Sequence, residues 1–183
     1  GQPLSNVLWS LAQLRLRHKS LPASVQSSLA AAMYKECKDD TDFTDQALST
    51  TLLSLAKMQV CWSDLPVPVQ SALSTAICRV CLRDGEEEVS AQAAGNIVYS
   101  LGTMEAVRPQ MTDRVNVALS IAIRKTARKG RLTNDDAVQV LRGLSLMRYD
   151  WTEEREPGRE NSGRTADAND NALDPQTRLV LSN

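Results

Sequence analysis

Leu52-Leu53-Ser54-Leu55-Ala56-Lys57-Met58 decides the fold, because the chain returns to this pattern on both sides. Upstream it reads Leu8-Trp9-Ser10-Leu11-Ala12-Gln13-Leu14. Downstream it reads Val98-Tyr99-Ser100-Leu101-Gly102-Thr103-Met104 and then Leu141-Arg142-Gly143-Leu144-Ser145-Leu146-Met147. The steps are 44 residues from Ser10 to Ser54, 46 from Ser54 to Ser100 and 43 from Ser100 to Gly143. A helical pattern recurring at a near-constant period of this size marks stacked helix pairs, each of which needs a neighbour to cover its apolar stripe.

The expected fold is therefore all-α: a right-handed α-solenoid of about four helix-pair repeats, at about 4–43, 44–88, 89–132 and 133–151. In the first repeat, a helix over about 4–16 leads through His18 and Leu21-Pro22 to a second over about 23–37, with Val25, Leu29 and Met33 inward. In the second, helices over about 44–59 and up to about 82 flank Trp62 and Leu65-Pro66, with Val69, Leu73, Ile77 and Val80 inward. Trp62 takes the place of His18. The third repeat gives helices over about 89–104 and 111–129, and Ala118–Ile123 parallels Ala72–Ile77. Thr133 with Asp136 reads as a capping box opening a helix over about 134–148, and Trp151 falls where Trp62 fell. Residues 152–174 hold little to bury and are expected to form a mobile polar insertion; 175–183 would begin another helix. Residue 1 falls inside a repeat, so the chain is expected to be part of a longer one.

Small residues occupy two sides of the recurring helix: Ser10, Ser54, Ser100 and Gly143 on one, Ala12, Ala56, Gly102 and Ser145 on the other. That predicts close approach by a neighbour on each side. Leu11, Leu55, Leu101 and Leu144 would point to the partner helix of the same repeat.

Composition favours helix-on-helix packing, with few aromatic residues and a net charge of −1. The charge is segregated, however: residues 1–38 carry +4, 39–88 carry −6, 89–151 carry +4 and 152–183 carry −3. No apolar run approaches a membrane span. The four cysteines, Cys37, Cys61, Cys78 and Cys81, lack disulfide-scaffold spacing and read as reduced, packed thiols of an intracellular or organellar protein. No zinc site is expected from Cys78-Arg-Val-Cys81, which lacks a second ligand pair. His18 is the only histidine, and its exchange for Trp62 argues for packing over catalysis. With no phosphate-binding glycine loop and no nucleophile motif, neither an enzyme nor a cofactor is expected.

Two features could bind a partner. One is the basic run Arg124, Lys125, Arg128, Lys129 and Arg131, readable either as a phosphate-contacting patch or as cations at the negative end of a helix. The other is the column Asn6, Thr50, Asn96 and Gln139, each four residues before the small Ser or Gly. Repeat proteins present such side chains to successive RNA bases; the competing reading is a side chain bonding a neighbouring carbonyl. Aromatic platforms for bases are scarce in this composition.

Asn6-Val-Leu-Trp-Ser-Leu-Ala12, its copies, and Leu-Pro-x-x-Val-Gln-x-x-Leu at 21–29 and 65–73 resemble the octotricopeptide and heptatricopeptide repeat proteins, including the RAP-domain group. The resemblance covers about 4–151; the repeats are longer than the family's usual unit and no RAP domain is visible. It implies a non-enzymatic mitochondrial or plastid protein associated with RNA, as a component of a divergent mitochondrial ribosome contacting rRNA or on an organellar transcript, alongside other proteins of a large complex. Mitochondrion as the location comes from the resemblance alone. The alternative is an armadillo- or HEAT-like protein-interaction scaffold without RNA; neither reading calls for a membrane or a small-molecule substrate.

Overall fold

A computed structural model describes residues 2–38, 43–85, 88–106 and 111–148. Among them are seven α-helices and no strand: α1 (Gln2–Gln13), α2 (Ala23–Lys38), α3 (Asp45–Lys57), α4 (Val67–Cys81), α5 (Ala91–Thr103), α6 (Asp113–Arg128) and α7 (Asn134–Leu146). The acidic residues 39–42, Trp151, the polar stretch 152–174 and the segment 175–183 lie outside the described residues. No described helix is long and apolar enough to cross a membrane.

The odd-numbered helices pack in chain order, α1 on α3, α3 on α5 and α5 on α7. The even-numbered helices form a second row, α2 on α4 and α4 on α6. This two-layer arrangement is compatible with an α-solenoid. The core runs between the rows, where Leu8, Leu52, Leu55, Leu73, Ile77, Ile97 and Leu101 are fully covered. Burying each such side chain contributes roughly 1.5–3 kcal/mol. Val25 departs from the sequence reading: it is 37 % exposed. Its face of α2 has no earlier even-numbered helix against it among the described residues.

The repeat recurs bond by bond. Thr44, Ser90 and Thr133 stand just before α3, α5 and α7, and each hydroxyl accepts the N–H three residues on, from Ala47, Ala93 and Asp136. Each satisfies a helix N–H that would otherwise lack a partner. The 3-10 turns His18–Ser20 and Trp62–Asp64 follow α1 and α3. The His18 N–H donates to the Met58 carbonyl at 3.0 Å, and the Trp62 N–H donates to the Met104 carbonyl at 2.7 Å. Each turn is thereby tied to the end of the next odd-numbered helix. The Leu-Pro-x-x-Val-Gln motif also acquires a local purpose, since the Gln26 and Gln70 amides donate to the Leu21 and Leu65 carbonyls at 2.8 and 2.7 Å.

The odd-numbered helices also end alike. Arg15, Gln59, Glu105 and Arg148 adopt left-handed backbone with φ between 55° and 58°. The N–H of Leu16, Val60 and Ala106 reaches back to the carbonyl five residues earlier. This is a Schellman cap with a side chain where glycine is usual. An L-residue pays roughly 1–2 kcal/mol in that conformation. Replacing Gln59 or Glu105 by glycine is expected to raise stability by about 0.5–1 kcal/mol at each site, the remainder being offset by glycine's greater freedom when unfolded. Urea midpoints of the two single variants measure it; a lower midpoint in both would contradict the cap.

Candidate nucleic-acid interface

The basic run lies at the C-terminal end of α6 and in the loop that follows, and its cations meet acids from the preceding repeat. Lys125 Nζ donates to the Asp84 carboxylate at 2.5 Å and to the Arg83 carbonyl at 3.3 Å. Lys129 pairs with Glu88, whose side chain is only 5 % exposed, and Arg131 reaches the same carboxylate at 3.4 Å. Arg124 donates to the Ser120 carbonyl at 3.4 Å and is half-buried, while the Arg128 side chain is exposed. The hydrogen bond from Lys125 lowers the Asp84 carboxyl below the usual range, and that from Lys129 does the same for Glu88.

The segments 39–88 and 89–151 carry opposite charge, and stacking sets Asp84 and Glu88 of the first against cations of the second. Part of the run also serves packing. Arg79, which precedes Lys125 by one repeat, donates to the Cys37 carbonyl at 3.3 Å, as Lys125 does to that of Arg83. In both cases a cation from one even-numbered helix covers carbonyls at the end of the helix before it, where the macrodipole is negative.

The column Asn6, Thr50, Asn96 and Gln139 recurs at one register of α1, α3, α5 and α7, and Gln139 stands where α7 packs on α5, its Cβ 3.7 Å from where a Cβ on Gly95 would lie. Asn6 is exposed and the other three are half-buried. Among the described residues none of the four side chains takes part in a hydrogen bond, and the Gln139 Oε1 is shielded from solvent with no partner. The reading in which these side chains bond neighbouring carbonyls is therefore not what the structure contains; the Thr50 and Asn6 carbonyls do accept bonds, but from the Ser54 and Ser10 hydroxyls.

Three residues after each member of the column stand Trp9, Leu53, Tyr99 and Arg142, which share its face at helical spacing. The Lys57 ammonium lies 4.1 Å from the centre of the Trp9 ring, and the Arg142 guanidinium 5.6 Å from that of Tyr99. Sequence reading found the column and missed these companions; their constant offset from it was the available signal.

His18 is half-buried at the start of its 3-10 turn, and burial lowers its pKa. Burial pushes the Cys37 and Cys81 thiols up to about 12, so both are packed and protonated. Among the described residues no group of three His, Cys, Asp or Glu is placed to hold a metal. No protein-family model, curated protein or solved structure matches this chain.

Proposed function

We propose that this chain is a non-enzymatic RNA-associated protein, its helix pairs stacked as a right-handed α-solenoid of about four repeats. It works in an organelle, with the mitochondrion favoured, as a ribosome component lying against rRNA or as a binder of an organellar transcript. The observation that carries this reading is the unbonded column Asn6, Thr50, Asn96 and Gln139 on one face of four successive odd-numbered helices. The shielded Gln139 Oε1, without a partner, carries a desolvation cost of about 1–3 kcal/mol. Base edges offer donors and acceptors to polar side chains such as these, one repeat at a time. The basic run supplies positive charge for phosphates at the repeat edge.

A filter-binding salt titration tests the reading. RNA is expected to bind at low salt, and changing Arg124, Lys125, Arg128 and Lys129 together to alanine is expected to flatten the salt dependence. The slope of log K against log salt falls by about 0.7 for each phosphate contact removed. An unchanged slope takes the basic run out of the interface, and no binding at low salt overturns the RNA reading.

A protein-interaction scaffold of armadillo or HEAT type is the competing reading. It is favoured by the engagement of Lys125, Lys129 and Arg131 with acids, and by an apolar groove of about 440 Å³ bordered by Leu4, Val7, Val25 and Leu29. Sedimentation with partner proteins but never with RNA would establish it in place of the first.

A further inference from the structure

We infer that Trp9 and Tyr99 are stacking platforms for unpaired bases, so that the RNA held on this face is single-stranded. The inference rests on the RNA reading above and adds the state of the ligand and the residues that hold it.

Trp9 is 36 % exposed, an unusual place for the largest side chain when Trp62 of the same chain is 2 % exposed. It stands three residues on from the exposed Asn6 along α1. Tyr99 stands in the same relation to Asn96 on α5. Each ring has a cation above it that comes from the next odd-numbered helix, Lys57 from α3 and Arg142 from α7. The result is two slots of like composition, a flat ring from one helix, a cation from the next, and an amide one turn back along the ring's own helix, although Lys57 and Arg142 come from different positions of the repeat. An unpaired base needs these three groups. The ring takes its face, the amide meets its edge, and the cation can leave the ring for the neighbouring phosphate. A base locked inside a duplex stack cannot offer its face, so a double helix gains nothing from the slots. On α3 the equivalent positions hold Thr50 and Leu53, which makes the middle repeat a weaker station between two stronger ones.

A structural account of the same residues is that Lys57 on Trp9 and Arg142 on Tyr99 merely fasten neighbouring helices. The two accounts separate in binding experiments on the full chain with a fluorescein-labelled mixed-sequence RNA of roughly 20 nucleotides, single-stranded or annealed to its complement. Trp9→Ala and Tyr99→Ala are each expected to weaken single-strand binding by about 5- to 150-fold, measured at a temperature at which each variant is fully folded. Trp9→Phe and Tyr99→Phe, which keep a ring, are expected to retain most of it. Saturating single strand is expected to quench tryptophan emission in the parent and to leave the Trp9→Phe variant largely unquenched. If single-stranded RNA binds but both alanine variants bind as the parent does, or if the duplex competes equally, the slots are overturned while the RNA reading stands. If no RNA binds the parent, both fall together.

Discussion

Gly143→Ala is expected to cost about 3 kcal/mol or more of folding stability, against a gain of about 1 kcal/mol that helix propensity alone would give. A Cβ on Gly143 would lie 2.5 Å from the Val98 carbonyl oxygen, 2.6 Å from the Val98 carbonyl carbon and 2.6 Å from the Tyr99 nitrogen. All three are backbone atoms of a helix interior, so no side chain can turn aside. Either α7 moves off α5 or the helices bend. Gly102 reports the same contact from the other side, where an added Cβ would meet the Gly143 carbonyl oxygen at 2.5 Å. The costs of Gly102→Ala and Gly143→Ala should therefore not add: once α7 has shifted for one methyl, the second enters for little. Gly95→Ala is the control, because its Cβ would approach nothing closer than 3.4 Å. That change is expected to lie within about 1 kcal/mol of neutral. Urea unfolding gives the free energies, and amide exchange tells where the loss falls. In a stack whose units touch only their neighbours, α7 should open while α3 keeps its protection. Stabilisation by Gly143→Ala would mean that α5 and α7 do not approach at these glycines.

That close approach was legible before any coordinates, since small residues recur on two sides of the same helix. The pairs Gly102 and Gly143 realise what the pattern promised. Helix positions were equally legible, because the apolar period repeats and the large leucines at 52, 55, 73 and 101 have no polar alternative. What the pattern concealed depends on neighbours that are distant in sequence. Val25 has the period of a core residue, yet lies on a face of α2 against which no earlier even-numbered helix is packed among the described residues. Lys125 and Lys129 read as a free basic run until stacking brings Asp84 and Glu88, one repeat earlier, against them. Periodicity within a helix reports which face is apolar, but says nothing about what stands opposite a charge. The candidate site was half legible for the same reason. The column from Asn6 to Gln139 follows from alignment of the repeats, whereas the cation over each ring comes from the following helix and needs the packing to be seen.

Trp62→Ala is expected to cost about 3–5 kcal/mol, the ordinary price of removing a large buried aromatic. Trp62 sits at the join of α3 and α4, and its backbone N–H donates to the Met104 carbonyl at the end of α5. Its side chain, 2 % exposed, is buried at the corner where that bond ties the second repeat to the third. Its loss should uncouple those repeats as well as lower stability, so that far-UV circular dichroism in urea shows a shallower or two-step transition in place of one. Trp62→Phe keeps most of the volume and is expected to lose less than half as much. His18 occupies the corresponding corner of the first repeat and is half-buried, so that earlier corner is less completely filled. The contrast with Trp9 is the informative part. Trp9 is 36 % exposed, and its removal should cost clearly less stability than that of Trp62 while weakening RNA binding. Trp62→Ala should do the reverse, melting the stack and affecting binding only through the fraction that remains folded. If Trp9→Ala instead destabilised the chain as severely as Trp62→Ala, the ring on α1 would be packing, and the first of the two slots would be lost.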